Sequence, residues 1–202
     1  MTLPKHYASS RGKQLKQWIL AAAIAVLAWK TVLAVNRVPS GSMLPTLQAG
    51  DSIFLNRLAY RFGTPTHGDV IVFSAPGTGQ RLVKRVMAVE GDRVAVLENV
   101  VYLNGLPLSY LPHPADPRIV TEATGAHAHR IIRGEGTPAP DFPEIVVPIG
   151  HVFVLGDNRD NSVDSRRYGP VPVANVLGSA PMVFMSREGA SLHWQRFFSA
   201  VK

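Results

Sequence analysis

The hydrophobic positions fall into two regimes. From Trp18 to Val35 every position is apolar except Lys30 and Thr31. A helix of that length rises about 27 Å, close to the roughly 30 Å hydrocarbon core of a bilayer. Beyond Val35 the apolar runs become short, rich in β-branched residues and punctuated by turn residues, the pattern of strands. Residues 50–55 predict a short strand. Val70–Ser74 and Arg81–Glu90, joined by the turn-rich stretch 75–80, predict a hairpin. Val94–Leu97 and Val100–Leu103 predict another around Glu98-Asn99, and Asn104-Gly105 predicts a further tight turn. From Pro112 to Pro148, prolines, three histidines and small residues dominate. This stretch reads as a long excursion, part hairpin and part irregular, inserted into the core. Val152–Leu155 resumes a buried strand, and Val171–Phe184 supplies the last ones. The expected fold class is mainly β. The tail, 187–202, carries the aromatic and basic run Leu192–Phe198, which suits either a membrane interface or a cap on the core.

Charge changes the reading of the first regime. The chain carries 21 Lys and Arg against 14 Asp and Glu, a net charge of +7, yet no acidic residue precedes Asp51. Lys5, Arg11, Lys13 and Lys16 all lie before the apolar run. The preference of basic flanks for the cytoplasm makes 1–16 a cytoplasmic segment and 17–35 a single transmembrane anchor, with everything after it outside. Much of the positive excess is then a topology signal. Anionic phospholipids, not nucleic acid, are the expected partners of that charge. Two other readings of the run are a cleavable signal peptide, since Val32-Leu33-Ala34 has small residues at the usual two positions, and a buried helix of a soluble protein. The absence of cysteine excludes disulfides, thiolate chemistry and cysteine-held zinc.

Three segments carry candidate chemistry. In Pro39–Leu47, Ser42 follows the apolar run by seven residues, at most about 25 Å of extended chain. Unless the segment is a mere linker or the domain folds well away from the bilayer, chemistry there takes place near the membrane surface. A serine hydroxyl needs a base within reach. The histidines are poor candidates: His113, His127 and His129 lie in the excursion, His6 lies before the anchor, and His67 and His151 precede apparent strands. Lys84 sits between Leu82 and Val86, so a core-facing register would bury its ammonium and lower its pKa; the reverse register would leave it solvated. The third segment, Gly156–Gly169, is dense in Asp, Asn, Ser and Arg. It lacks the central glycine and terminal glutamate of a calcium loop and reads better as a loop pinned by Asx turns and Asp–Arg pairs. No metal and no cofactor are expected.

In combination and in this order, the anchor, the Ser-x-Ser-Met-x-Pro-Thr segment, Gly50-Asp51, Lys84-Arg85 with Gly91-Asp92 and the Gly156–Arg166 loop resemble the bacterial type I signal peptidases. The resemblance implies Ser42 as nucleophile, Lys84 as general base, and Ser40 with the Ser42 backbone N–H as oxyanion hole. It further implies Ser162 as the hydroxyl that orients Lys84, with Asp164 and Arg166 as a supporting ion pair. Val38, Met43 and Val83, beside these residues, are candidates for the walls of shallow substrate pockets. The fold implied is an antiparallel β core over 36–92 and 151–186 with a smaller β-domain inserted over 93–150. The implied activity is removal of signal peptides from preproteins after Ala-x-Ala-type sites, at the outer face of a bacterial cytoplasmic membrane. Members often have two membrane segments, whereas this sequence has one. Alternatives are a specialised enzyme for conjugative pilin or transfer proteins, and a catalytically inactive membrane-tethered binding module. Self-cleaving repressors also use Ser–Lys pairs, but the anchor argues against them.

Overall fold

The computed structural model describes residues 12–23, 33–124, 127–134, 137, 139–189 and 191–201. Residues 12–23 are helical, and among the described residues no helix is long and apolar enough to cross a membrane. Of the predicted anchor 17–35, residues 24–32 lie outside the described residues, as do residues 1–11 of its basic flank 1–16.

Strand β1 (Leu33–Arg37) takes three residues, Leu33–Val35, that hydropathy alone counts in the apolar run. They pair in antiparallel register with Asn56, Leu55 and Phe54 of β2 (Ser52–Asn56), so they belong to the edge of a sheet. The chain continues through β3 (Val70–Ser74) and β4 (Arg81–Val89), the predicted hairpin, with Ser74 opposite Arg81. Then come β5 (Arg93–Leu97), β6 (Val100–Leu103) and β7 (Leu106–Pro107). The excursion read as partly irregular contains four strands: β8 (Ser109–His113), β9 (Asp116–Thr124), β10 (His127–Ile132) and β11 (Phe142–Val146). The chain returns through β12 (His151–Leu155), a one-turn helix at Ser165–Tyr168, β13 (Val171–Pro172), β14 (Val176–Ser179) and β15 (Val183–Met185). It ends with the small hairpin β16 (Arg187–Glu188) and β17 (Ser191–Leu192).

The large sheet has the order β1-β2-β14-β3-β4-β12-β13, with β15 also on β2. All pairs between its named strands are antiparallel. Both of its faces are covered. Val70 and Val72 enter one cluster with Val38, Met43, Leu47 and Ile53, while the alternating Ile71 and Phe73 enter another with Val86, Val154 and Val171. This explains why β3 and β4 are apolar runs with little alternation of burial. A third cluster, around Met87, Val94, Val96, Val101 and Phe153, packs the β11-β5-β6-β7 sheet against β4 and β12. The three-stranded ribbon β10-β9-β8 is a separate sheet.

Candidate active site

Ser42 lies on a pinned turn. Val38 N–H donates to the Asp51 carbonyl at 2.7 Å, and Gly50 N–H donates back to the Val38 carbonyl at 2.9 Å. Between them, Leu44 N–H bonds Gly41 O at 3.0 Å and Leu47 N–H bonds Met43 O at 2.8 Å. Met43 and Leu47 are fully buried, so the two residues that flank the turn are driven into the core and Ser42 is left half-buried at its edge. From the C-terminal side, Arg196 donates to Asp51 Oδ2 at 2.6 Å and to Thr46 O at 3.1 Å. The tail thus caps this turn, although Trp194 and Phe198 stay exposed.

Lys84 lies on central strand β4, opposite Ile71, and is 2% exposed. Its neighbours Leu82 and Val86 both pack in the Ile71–Phe73 cluster, as the core-facing register requires. Lys84 Nζ is 2.7 Å from Ser42 Oγ and 3.0 Å from the Val83 carbonyl. Burial lowers its pKa to about 8, outweighing the opposing attraction of Asp164 and Asp157. A neutral amine is thus accessible at mildly alkaline pH, in contact with a hydroxyl. Ser40 Oγ lies 3.3 Å from Ser42 Oγ. These atoms open on a cavity of about 330 Å³ whose walls include Val38, Met43 and Val83, all three of the residues expected there.

The Gly156–Gly169 loop closes the site from behind. Asp164 caps the Ser165–Tyr168 helix, accepts Gly156 N–H at 3.0 Å and holds Arg166 at 2.9 and 2.8 Å, the expected ion pair. Asn158 N–H donates to the Ser42 carbonyl at 3.1 Å, and its side chain donates to Gly41 O at 3.2 Å. Gly156 fits because it has no side chain: a Cβ there would stand 2.2 Å from Ser162 Oγ and 2.6 Å from the Ser42 carbonyl oxygen. Ser162 therefore packs against the site. Its hydroxyl is buried and makes no hydrogen bond, so the expected bond to Lys84 is not formed; Nζ is turned toward Ser42 and Val83 O instead.

Several residues that the sequence reading did not single out also belong here. Arg85, next to Lys84, forks onto Asp157 at 2.9 and 2.8 Å, and Thr46 Oγ1 bonds the same carboxylate. The Arg85 charge and these hydrogen bonds hold Asp157 below its usual range despite its burial. The signals for Arg85 were its charge inside a buried strand and its place beside Lys84 in the family resemblance, neither of which named its partner Asp157. Three of the histidines have partners other than Ser42: His67 meets Asp92 at 2.7 Å, His151 meets Ile149 O at 2.8 Å, and His129 lies beside Glu122 at 3.2 Å.

The chain is similar to known proteins over most of its length. Residues 11–185 match the family described as signal peptidase, peptidase S26. A probable signal peptidase I-1 from Synechocystis is 35% identical, over 80% of this chain and 76% of its own. A signal peptidase I from Leptolyngbya laminosa is 32% identical, over 81% and 74%. One from Bacillus caldolyticus is 32% identical, over 82% and 88%. With its antiparallel β-sheets and a match over most of its length, the chain belongs to the signal peptidase family, peptidase S26, and is a signal peptidase hydrolase.

Proposed function

We propose that the chain is a serine endopeptidase that releases signal peptides from preproteins with Ser42 as nucleophile and Lys84 as general base. The observation that carries this reading is the 2.7 Å contact between a buried lysine amine and a serine hydroxyl at the mouth of an apolar cavity. Neutral Lys84 takes the Ser42 proton as Oγ attacks the scissile carbonyl. The C–N bond then breaks, and Lys84 returns the proton to the departing amine, leaving an acyl-Ser42 ester. Water, deprotonated by the same lysine, hydrolyses the ester and frees Ser42. The Ser40 hydroxyl and the Ser42 backbone N–H stabilise the oxyanion, which exists only in the tetrahedral states. Ser162 packs against Gly156, which also lies against the Ser42 carbonyl. The walls formed by Val38, Met43 and Val83 suit small side chains one and three residues before the cleaved bond.

In the same reading the apolar run from 17 up to 32 anchors the chain in the bacterial cytoplasmic membrane, with anionic phospholipids at its basic flank and the β-sheets outside; the expected end of the anchor at Val35 is corrected to 32, because Leu33–Val35 are paired with β2. The test is cleavage of an Ala-x-Ala preprotein by purified protein. Wild type should cut, and Ser42→Ala and Lys84→Ala should be folded and inert. Ser40→Ala should lose roughly 10²–10³ in kcat at little cost in KM, with Ser40→Thr retaining much of the activity. Cleavage by Ser42→Ala would sink the proposal.

A further inference from the structure

The ribbon β8–β10 reaches the site from outside the large sheet, and it does so through buried charge. Glu122, in the middle of β9, is fully buried. Arg159, on the Gly156–Gly169 loop, donates both terminal nitrogens to it, Nη1 to Oε2 at 2.6 Å and Nη2 to Oε1. Burial alone would push the Glu122 carboxyl up, but Arg159, with help from His129, holds it well below the usual carboxylate range. His129, paired with Glu122 in register on β10, places Nε2 3.2 Å from Glu122 and 4.0 Å from Asp157. Tyr110 of β8 and Arg133 just beyond β10 also face Glu122. The backbone joins in: Ile132 N–H donates to the Asp157 carbonyl at 2.8 Å, and Gly134 N–H donates to Asp160 at 2.6 Å.

From Arg159 the contacts run through the 156–166 loop to the backbone of Ser42. Its Nε donates to the Gly156 carbonyl at 3.2 Å, and its own carbonyl accepts Arg166 Nη2 at 2.7 Å. Asn158, the preceding residue, holds the Ser42 and Gly41 carbonyls. A buried Glu–Arg pair adds little stability over well-packed apolar residues, because both ions must be desolvated. It does impose geometry: a planar guanidinium on a carboxylate has one good orientation, and departure from it leaves two buried charges unpaired.

We propose that Glu122 is a positioning residue for hydrolysis: through Arg159 it fixes the 156–166 loop against the backbone of Ser42 and beside Lys84. The inference rests on the Ser42–Lys84 reading above and assigns the inserted ribbon a part in catalysis.

Glu122→Gln keeps the shape and removes the charge. Because displacement of reacting groups by about 1 Å can cost 10²-fold, kcat should fall about ten- to a hundredfold with KM nearly unchanged. Loosening the loop also hydrates Lys84, whose pKa is set chiefly by burial against the opposing charges of Asp164 and Asp157 and the like charge of Arg166. The rise of kcat with pH should therefore move to higher pH. Hydrogen exchange over 154–162 should quicken, with 52–56 unchanged. Glu122→Asp, which keeps the charge on a shorter arm, should fall between wild type and Glu122→Gln in all three readouts, and it serves as the test variant if Glu122→Gln does not fold. Wild-type kcat and exchange, or a loss of kcat with an unmoved pH profile, would overturn the positioning role. Ser42→Ala run alongside separates the failures. Residual cleavage there defeats the Ser–Lys reading, whereas wild-type kinetics in the Glu122 variants defeat only the positioning role.

Discussion

At the scale of single residues, Lys84 is an energetic liability that its proposed role explains. Its pKa falls from 10.5 to about 8 because burial disfavours the ammonium. The folded protein therefore binds fewer protons than the unfolded chain between pH 8 and 10.5. Stability is lowest below the folded pKa, rises as pH passes from about 8 to 10.5, and levels off above; the span corresponds to about 3 kcal/mol. Lys84→Met should thus be inactive yet more stable than wild type at pH 7, by an order of magnitude set by that figure, with the advantage shrinking by pH 10.5. Denaturant titration at the two pH values checks this, and a destabilised Lys84→Met at pH 7 would contradict it. Activity should carry the same signature: with the neutral amine as the proposed base, kcat should climb through pH 8 and then level off.

At the scale of elements, the loop 156–169 is held by close approach as much as by charge. A methyl group on Gly156 would collide with Ser162 Oγ and the Ser42 carbonyl, so Gly156→Ala must displace one of them. The expected outcome is a folded protein with kcat reduced about a hundredfold or more, measured beside its melting temperature. Elements with local signals were legible in the sequence. Glu98-Asn99 and Asn104-Gly105 both adopt positive φ in two-residue turns, closing Leu97 on Val100 and Leu103 on Leu106. The β3–β4 hairpin sits where alternation and turn residues put it. The excursion was legible only as part hairpin and part irregular. Pro112 in β8 of the ribbon and Pro143 in β11 of the neighbouring sheet lie in edge strands, where a missing N–H is tolerated but where it erases the strand signature. The burial of Glu122 and His129 has no local signal, because the partner that permits it, Arg159, is 37 positions away from Glu122. Likewise Ser42 and Lys84 were each ambiguous alone, and only their shared pattern with Gly156–Arg166 made the site readable.

At the scale of the molecule, the asymmetry of charge is the main guide to placement. With no acidic residue before Asp51 and four basic residues ahead of the apolar run, protease added to spheroplasts should degrade the β-sheet body and spare 1–16. Full protection of the body would reverse the proposed orientation. Strand β1 then acquires a further meaning. It is hydrogen-bonded to β2 along all five of its residues, and the turn bearing Ser42 follows it after a short, pinned connection. A five-residue strand measures about 17 Å. If the apolar run is embedded only up to residue 32, where β1 begins, the tether is therefore not slack rope but a gauge rod that sets the height of Ser42 above the bilayer. A preprotein held by its own apolar segment in the same membrane meets that fixed height from below. The enzyme would then select cleavage sites by reach as well as by side chain: too short a stretch after the substrate's apolar segment never arrives at the hydroxyl, and too long a stretch overshoots it.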